Sequence, residues 1–235
     1  MAGKALIILA AAGLLALAAA GGGADLAAAG PRHLLVKWEK NGKAGDQMEW
    51  ESALAGMSLA RRLSPWDAEI AMDLGRIFEW KAIGSPPWAP AAQEARKLAI
   101  EQYRQAVALR PSWSVAWINL AQAKALDFSF DQEAAAALLN AMALGRWDRA
   151  VSYKVVDLSL AAWDSFPEDQ KWRFTAFVKR IVQTKAGRTR VLVAAARMGK
   201  EKILASMLEN DEDRRALQCL AEARENGSGW EECKP

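Results

Sequence analysis

Few residues in this chain have the types and spacing that covalent or metal chemistry needs. Its one histidine, His33, stands two residues after Pro31 beside an apolar run, so imidazole general-base catalysis and multi-histidine metal sites have almost no inventory to draw on. Carboxylates cluster at Glu209, Asp211, Glu212 and Asp213 and again at Glu231-Glu232, and both runs, flanked by polar residues, read as solvated faces. Two acids facing one cleft, as glycoside hydrolysis uses, are not visible in sequence order. Gly21-Gly22-Gly23 lies in or just after an apolar run, whereas a phosphate cradle needs a strand before it and a helix after it. Cys219 and Cys233 fit no zinc or thiol-redox spacing; in an oxidising compartment they either close a disulfide loop or stay free. No catalytic, metal-binding or cofactor-binding residue is assigned, and the expectation is a protein that is not an enzyme and holds no cofactor.

Charge and aromatic content point elsewhere. Lys plus Arg (31) nearly balances Asp plus Glu (28), and a net charge of +3 argues against a dedicated nucleic-acid surface. One basic cluster, Lys179, Arg180, Lys185, Arg188 and Arg190, falls between two predicted helices. It reads either as a solvated surface or as a contact for an anionic glycan, a lipid headgroup or an acidic partner. Eleven tryptophans are far above ordinary usage and must serve packing, a membrane interface or ligand stacking, with packing foremost.

The elements that position these residues begin with an apolar N-terminal segment. Ala5 to Ala20 is an uncharged run of Ala, Leu, Ile and Gly after Lys4; as a helix it rises roughly 24 Å, slightly short of a hydrocarbon core of about 30 Å. It reads as a cleaved signal peptide or, more strongly, as a retained anchor, with Lys4 on the cytoplasmic side and everything after Pro31 on the far side. Beyond it, three segments repeat one pattern of small, large, small and stop: Ala53, Met57, Ala60, Pro65; Ala99, Tyr103, Ala106, Pro111; and Ala134, Leu138, Ala141, Arg146. These are the second-helix positions of a tetratricopeptide (TPR) repeat, in which small residues admit the paired helix and Pro ends the turn. Leu74-Gly75 with Phe78, and Trp117 with Leu120-Ala121, match the first-helix pattern. The prolines between Lys81 and Pro90 predict a non-helical insertion that exposes Trp88.

The expected fold is therefore all-α: a TPR-like helical hairpin array preceded by one transmembrane helix. The expected divisions are residues 1–30 as anchor or signal segment, 31–46 as a juxtamembrane linker, 47–165 as repeats with the Pro-rich insertion at 81–92, 166–224 as C-terminal helices and 225–235 as a flexible tail. Within the last helices, Phe166-Pro167-Glu168-Asp169 starts a helix whose apolar positions run from Trp172 to Val182, and Val191 to Met198 with Ile203 to Leu208 reads as a short antiparallel pair turning at Gly199. A TPR array offers a concave groove lined by its first helices, which here names Met72, Asp73 and Arg76 and then Ile118, Asn119 and Gln122 as partner-binding candidates. The alternative is a groove filled by the chain's own C-terminal helices.

The string Tyr103-Arg104-Gln105-Ala106-Val107-Ala108-Leu109-Arg110-Pro111-Ser112-Trp113, continuing to Ala116-Trp117-Ile118-Asn119-Leu120-Ala121, resembles the VpsP family of polysaccharide biosynthesis proteins. Trp38-Glu39, Trp50-Glu51-Ser52-Ala53-Leu54, Phe78-Glu79-Trp80, Leu144-Gly145-Arg146-Trp147 and Leu160-Ala161-Ala162-Trp163-Asp164 agree with it. Arg146 departs from the family pattern, which has Pro there, and implies a looser end to the third repeat. The resemblance implies an accessory or scaffold protein of exopolysaccharide or capsule production, tethered to the bacterial inner membrane with its domain in the periplasm. Its partners would be protein components of polysaccharide synthesis or export. Two other readings share these features: a glycan-binding module in which Trp88 and Trp113 stack on sugars, and a TPR adaptor for another periplasmic assembly such as secretion.

Overall fold

The computed structural model describes residues 2–127, 129–228 and 233. Among these residues there is no strand, and the chain is all-α with a long apolar helix at its N-terminus. It divides into two compact units, Met1–Ser112 and Trp113–Pro235.

The first unit contains α1 (Ala2–Asn41), α2 (Gln47–Leu63), α3 (Ala68–Ile83) and α4 (Pro90–Leu109). Helix α1 has two halves with different environments. Leu6, Ile7, Ile8, Leu9, Leu14 and Leu15 are all exposed, whereas Ala24, Ala28, Pro31, Leu35 and Trp38 form a buried stripe at heptad-like spacing. That stripe joins a core with Ala53, Met57 and Ala60 of α2 and Ile70, Leu74 and Ile77 of α3. The segment 31–46, read from sequence as a linker, is thus helical as far as Asn41 and packs as the first arm of a hairpin. Asn41-Gly42 then ends it, with Gly42 at φ 66° in the left-handed region that glycine adopts freely.

Pro31 sits inside α1 and cannot donate to the carbonyl of Ala27. The facing residue is Gly56, where a Cβ would lie 2.8 Å from Pro31 Cγ and 3.0 Å from the Ala27 carbonyl oxygen. The missing side chain lets α2 close directly over the proline. By length and composition, Leu6–Asn41 is able to cross a membrane. Because the helix is unbroken, its uncharged stretch extends from Ala5 to Ala24, about 30 Å of helix, which matches a hydrocarbon core.

The second hairpin, α3 with α4, closes on a similar small-against-large contact. A Cβ at Gly75 would come within 2.5 Å of the Tyr103 ring, which is fully buried and donates its hydroxyl hydrogen to Glu79. The loop between these helices is shorter than the 81–92 insertion read from sequence. Helix α3 runs on to Ile83 and α4 opens at Pro90, since a proline in the first turn gives up an N–H that has no helical acceptor. Arg96, itself buried, donates to the Pro87 carbonyl at 2.8 Å and fixes the loop from beneath.

The second unit contains α5 (Ser114–Leu126), α6 (Gln132–Leu144), α7 (Arg149–Ala161), a 3-10 turn (Trp163–Ser165), α8 (Glu168–Ile181), α9 (Lys185–Met198), α10 (Glu201–Ala205) and α11 (Asp211–Asn226). Helices α5 and α6 form a third hairpin, and α7, α9 and α11 pack in succession beyond it. All nine small-large-small positions of the repeat are buried: Ala53, Met57 and Ala60; Ala99, Tyr103 and Ala106; Ala134, Leu138 and Ala141. Gly199, at φ 67°, turns α9 into α10, so the antiparallel pair read at 191–208 is helical on both sides. Trp172, assigned from sequence to the apolar side of α8, is instead exposed, while Phe174, Phe177 and Val178 carry that helix's burial. Cys219 and Cys233 are joined in a disulfide with Cα atoms 5.5 Å apart. Most of the tail at 225–235 lies outside the described residues.

Candidate functional site

The groove residues do not line an open surface. In the first unit Met72 and Asp73 are buried, and Asp73 accepts from Arg32 Nε of α1 and from Arg76 Nη1, each at 3.0 Å. Arg76 also reaches Glu39 of α1 at 2.5 Å. The second half of α1 therefore occupies the face that an extended peptide would need. In the second unit Ile118 and Asn119 are buried, Asn119 accepting from Lys154 of α7 at 3.2 Å, and Gln122 is half-buried. Trp88 is exposed, as the Pro-rich loop predicts.

The aromatic residues divide between packing and display. Trp38 is fully buried, donates to Glu49 at 3.2 Å and meets Trp80 edge-on at 6.4 Å. Trp50 donates to the Ile77 carbonyl at 2.9 Å and carries Lys81 over its ring at 4.4 Å. Trp66, Trp88, Trp147 and Trp172 are exposed.

The basic cluster is pulled apart by its partners. Lys179 pairs with Glu209 at 2.5 Å and Arg190 with Asp157, while Arg188 lies 3.6 Å from Asp213. The pairing with Lys179 holds the Glu209 carboxyl below its ordinary range, whereas burial, only partly offset by Arg190, raises that of Asp157. Arg180 differs from these. It pairs with none of these acids and donates from Nη1 to the Arg146 carbonyl at 2.9 Å.

Arg180 there enters a cleft of about 320 Å³ formed by the α6–α7 turn, the start of α7, the end of α8 and the start of α9. Three guanidinium groups line it, Arg146, Arg149 and Arg180, together with Trp147, Tyr153 and Thr184. Among the described residues no carboxylate lies within ion-pair distance of any of the three arginines. Asp148, the nearest acid in sequence, spends its carboxylate as the N-cap of α7, accepting from Ala150 and Val151 N–H at 2.9 and 3.2 Å. Arg180 Nη2 is buried with no hydrogen-bond partner. Burial first, and then the positive charge of Arg146, push the Arg180 guanidinium below its ordinary range. The contrast is Lys124, a buried cation of the same unit, which is satisfied by Asp131 at 2.8 Å and Glu133 at 2.5 Å.

Trp147 stands 81% exposed with Arg146 over its ring at 4.8 Å and Arg180 at 5.8 Å. The cleft thus offers a flat apolar face beside unneutralised positive charge. Of its residues, sequence reading singled out Arg180 within a cluster it does not share and noted Arg146 only as a missing proline. The signal available was the run Arg146-Trp147-Asp148-Arg149, two arginines around an aromatic at a helix start. Arg146 does not loosen the end of the third hairpin as its departure from Pro implied, because Arg180 holds its carbonyl and Asp148 N–H donates to Gly145 at 2.9 Å. Among the described residues no group of three or more His, Cys, Asp or Glu is placed to hold a metal ion. No protein-family model matches this chain, and no curated protein matches it.

Proposed function

We propose that this protein is a single-pass membrane protein that holds partner proteins close to the outer face of the bacterial inner membrane, without catalysing a reaction, in exopolysaccharide or capsule production. The observation that carries the reading is the continuity of α1. One helix supplies the exposed apolar segment and, with no flexible joint, the first arm of the first hairpin. The first unit, mounted in this way, is held at a fixed height and orientation, unlike one on a flexible linker. The lone basic residue before the apolar run, Lys4, favours a cytoplasmic N-terminus and a periplasmic domain. The disulfide between Cys219 and Cys233 fits an oxidising compartment. The pathway comes from the resemblance to the VpsP family alone.

The turn between α2 and α3 bears on the same reading. A Cβ at Gly23 would lie 3.4 Å from Leu63 Cδ1, so the end of α2 sits level with the end of the uncharged stretch. Next to it are exposed Arg62, Pro65 and Trp66. Trp and Arg at that height suit the headgroup region.

Inserting a short Gly-Ser spacer between Gly23 and Ala24 tests the rigid mount. The full chain should remain in the membrane fraction after alkaline carbonate washing, while chemical crosslinks to its partners in native membranes fall several-fold. Unchanged crosslinks would remove the rigid-mount reading, and release of the unmodified chain by carbonate would remove the anchor. The glycan-binding reading is favoured by a different observation, the cleft around Trp147.

A further inference from the structure

We propose that the cleft between Arg146, Trp147, Arg149 and Arg180 binds an anionic sugar, a hexose ring carrying a carboxylate or phosphate group. Four observations carry this. The three guanidinium groups line one cleft with no carboxylate in ion-pair range among the described residues, so the repulsion between Arg146 and Arg180 is left for a ligand to relieve. Arg180 Nη2 is buried and unpartnered, and a buried donor without an acceptor is costly unless something completes it. The indole of Trp147 is 81% exposed at the rim; a large aromatic held in water beside charged donors is suited to stack on the apolar face of a ring. Finally, a hydroxyl group that a sugar hydroxyl could pair with lines the cleft, from Tyr153, while that of Thr184 is spent as the cap of α9.

The shape of the cleft agrees with its chemistry. Its volume of about 320 Å³ is at the lower end of the range for small-molecule sites, enough for one or two sugar units. It is built at four element ends, and two glycines make the close approach possible. A Cβ at Gly187 would sit 2.2 Å from the Ile181 carbonyl oxygen, and one at Gly145 would sit 2.4 Å from Val151 Cγ1. An acidic peptide would use the arginines but would leave the indole idle.

Purified full chain in detergent tests this by titration calorimetry against trigalacturonate, glucose 1-phosphate, uncharged maltotriose and a triglutamate peptide. At least one charged sugar should bind measurably where maltotriose does not, and which of the two binds more tightly identifies the carboxylate or the phosphate as the group read. Trp147→Ala, which removes the stacking face, and Arg149→Gln, which removes a charged donor, both at exposed positions, should each weaken that binding by about tenfold, with far-ultraviolet circular dichroism unchanged. The proposal is overturned if neither charged sugar binds better than maltotriose, or if triglutamate binds as tightly as the sugars and Trp147→Ala leaves every affinity unchanged. It goes beyond the scaffold reading, and neither depends on the other: carbonate extraction reports on the tether and calorimetry on the cleft.

Discussion

The turn after α2 and the turn after α6 end on the same helix cap but surround it with different side chains. Ser64-Pro65-Trp66-Asp67 and Gly145-Arg146-Trp147-Asp148 each lead from the end of one hairpin to an aspartate that caps the next helix, with nearly the same cap geometry: φ −85°, ψ 114° at Asp67 and φ −84°, ψ 114° at Asp148. Both display an exposed tryptophan. The middle copy, Arg110-Pro111-Ser112-Trp113, follows the same course with no side-chain cap on α5. Two positions separate the outer two: Ser64 against Gly145, whose backbone also differs (ψ 75° against 16°), and Pro65 against Arg146. The Pro65 carbonyl accepts from Arg61 as the Arg146 carbonyl accepts from Arg180, but only Arg146 adds a guanidinium that lines a cleft. A repeat can thus keep its helix cap while changes at two neighbouring positions add a charged group to the turn.

Gly145→Ala should break the likeness most strongly. Its Cβ would meet Val151 Cγ1 at 2.4 Å and the Ala141 carbonyl at 2.9 Å, an overpacking that costs roughly 1–3 kcal/mol. The equivalent Ser64 already carries a Cβ, so Ser64→Ala should cost less, and urea denaturation of both variants measures the gap. Equal losses would mean that the third turn is no more tightly packed than the first.

Asp67→Ala and Asp148→Ala should each cost about 1 kcal/mol through loss of an N-cap, because each carboxylate accepts two backbone N–H groups. Similar shifts in the two urea midpoints would sharpen the equivalence of the turns. A loss at Asp67 alone would contradict it.

Arg146→Pro restores the residue that the other two copies carry. Arg146 occupies the same turn position as Pro65 and Pro111, but Gly145 before it lies at ψ 16°, where Ser64 and Arg110 lie at 75° and 76°; a following proline disfavours that conformation, so stability should fall by more than about 1 kcal/mol. Sugar binding should fall at the same time. Unchanged stability would show that Gly145 readily takes the backbone that Ser64 and Arg110 adopt before their prolines.

The smallest effect concerns the first unit at high pH. Burial, followed by Glu79, raises the Tyr103 phenol well above its ordinary range. The unfolded chain then ionises before the fold does, so this contribution is whole below about pH 10 and is lost as pH rises through the folded value. Tyr103→Phe removes that titration, and its urea midpoint should fall less between about pH 8 and about pH 10.5 than that of the parent chain. An equal fall in both would place the alkaline sensitivity elsewhere.

Periodicity made much of the fold readable before any coordinates. The spacing of Ala99, Tyr103, Ala106 and Pro111, repeated on either side, reports which side of a helix is buried and where it stops, and both are local properties of the chain. The apolar N-terminal segment is legible for the same reason, since its length and lack of charge are properties of consecutive residues. The disulfide was half legible, because two cysteines name a pair without saying that they meet.

What only the tertiary structure decided is which residues from distant segments come together. The continuation of α1 through Pro31 depends on Gly56 of another helix, so a linker read from proline and polar residues becomes the first packed arm. Asp73 and Arg76 look like groove residues until α1 supplies Arg32 and Glu39 to them. Lys179, Arg188 and Arg190 look like one patch with Arg180 until three carboxylates from elsewhere neutralise them. The cleft exists because Arg180 crosses to Arg146, 34 residues away in sequence. Helix periodicity records a residue's own side of its own helix; charge pairing and cleft formation belong to contacts between helices, and those are fixed only when the hairpins pack.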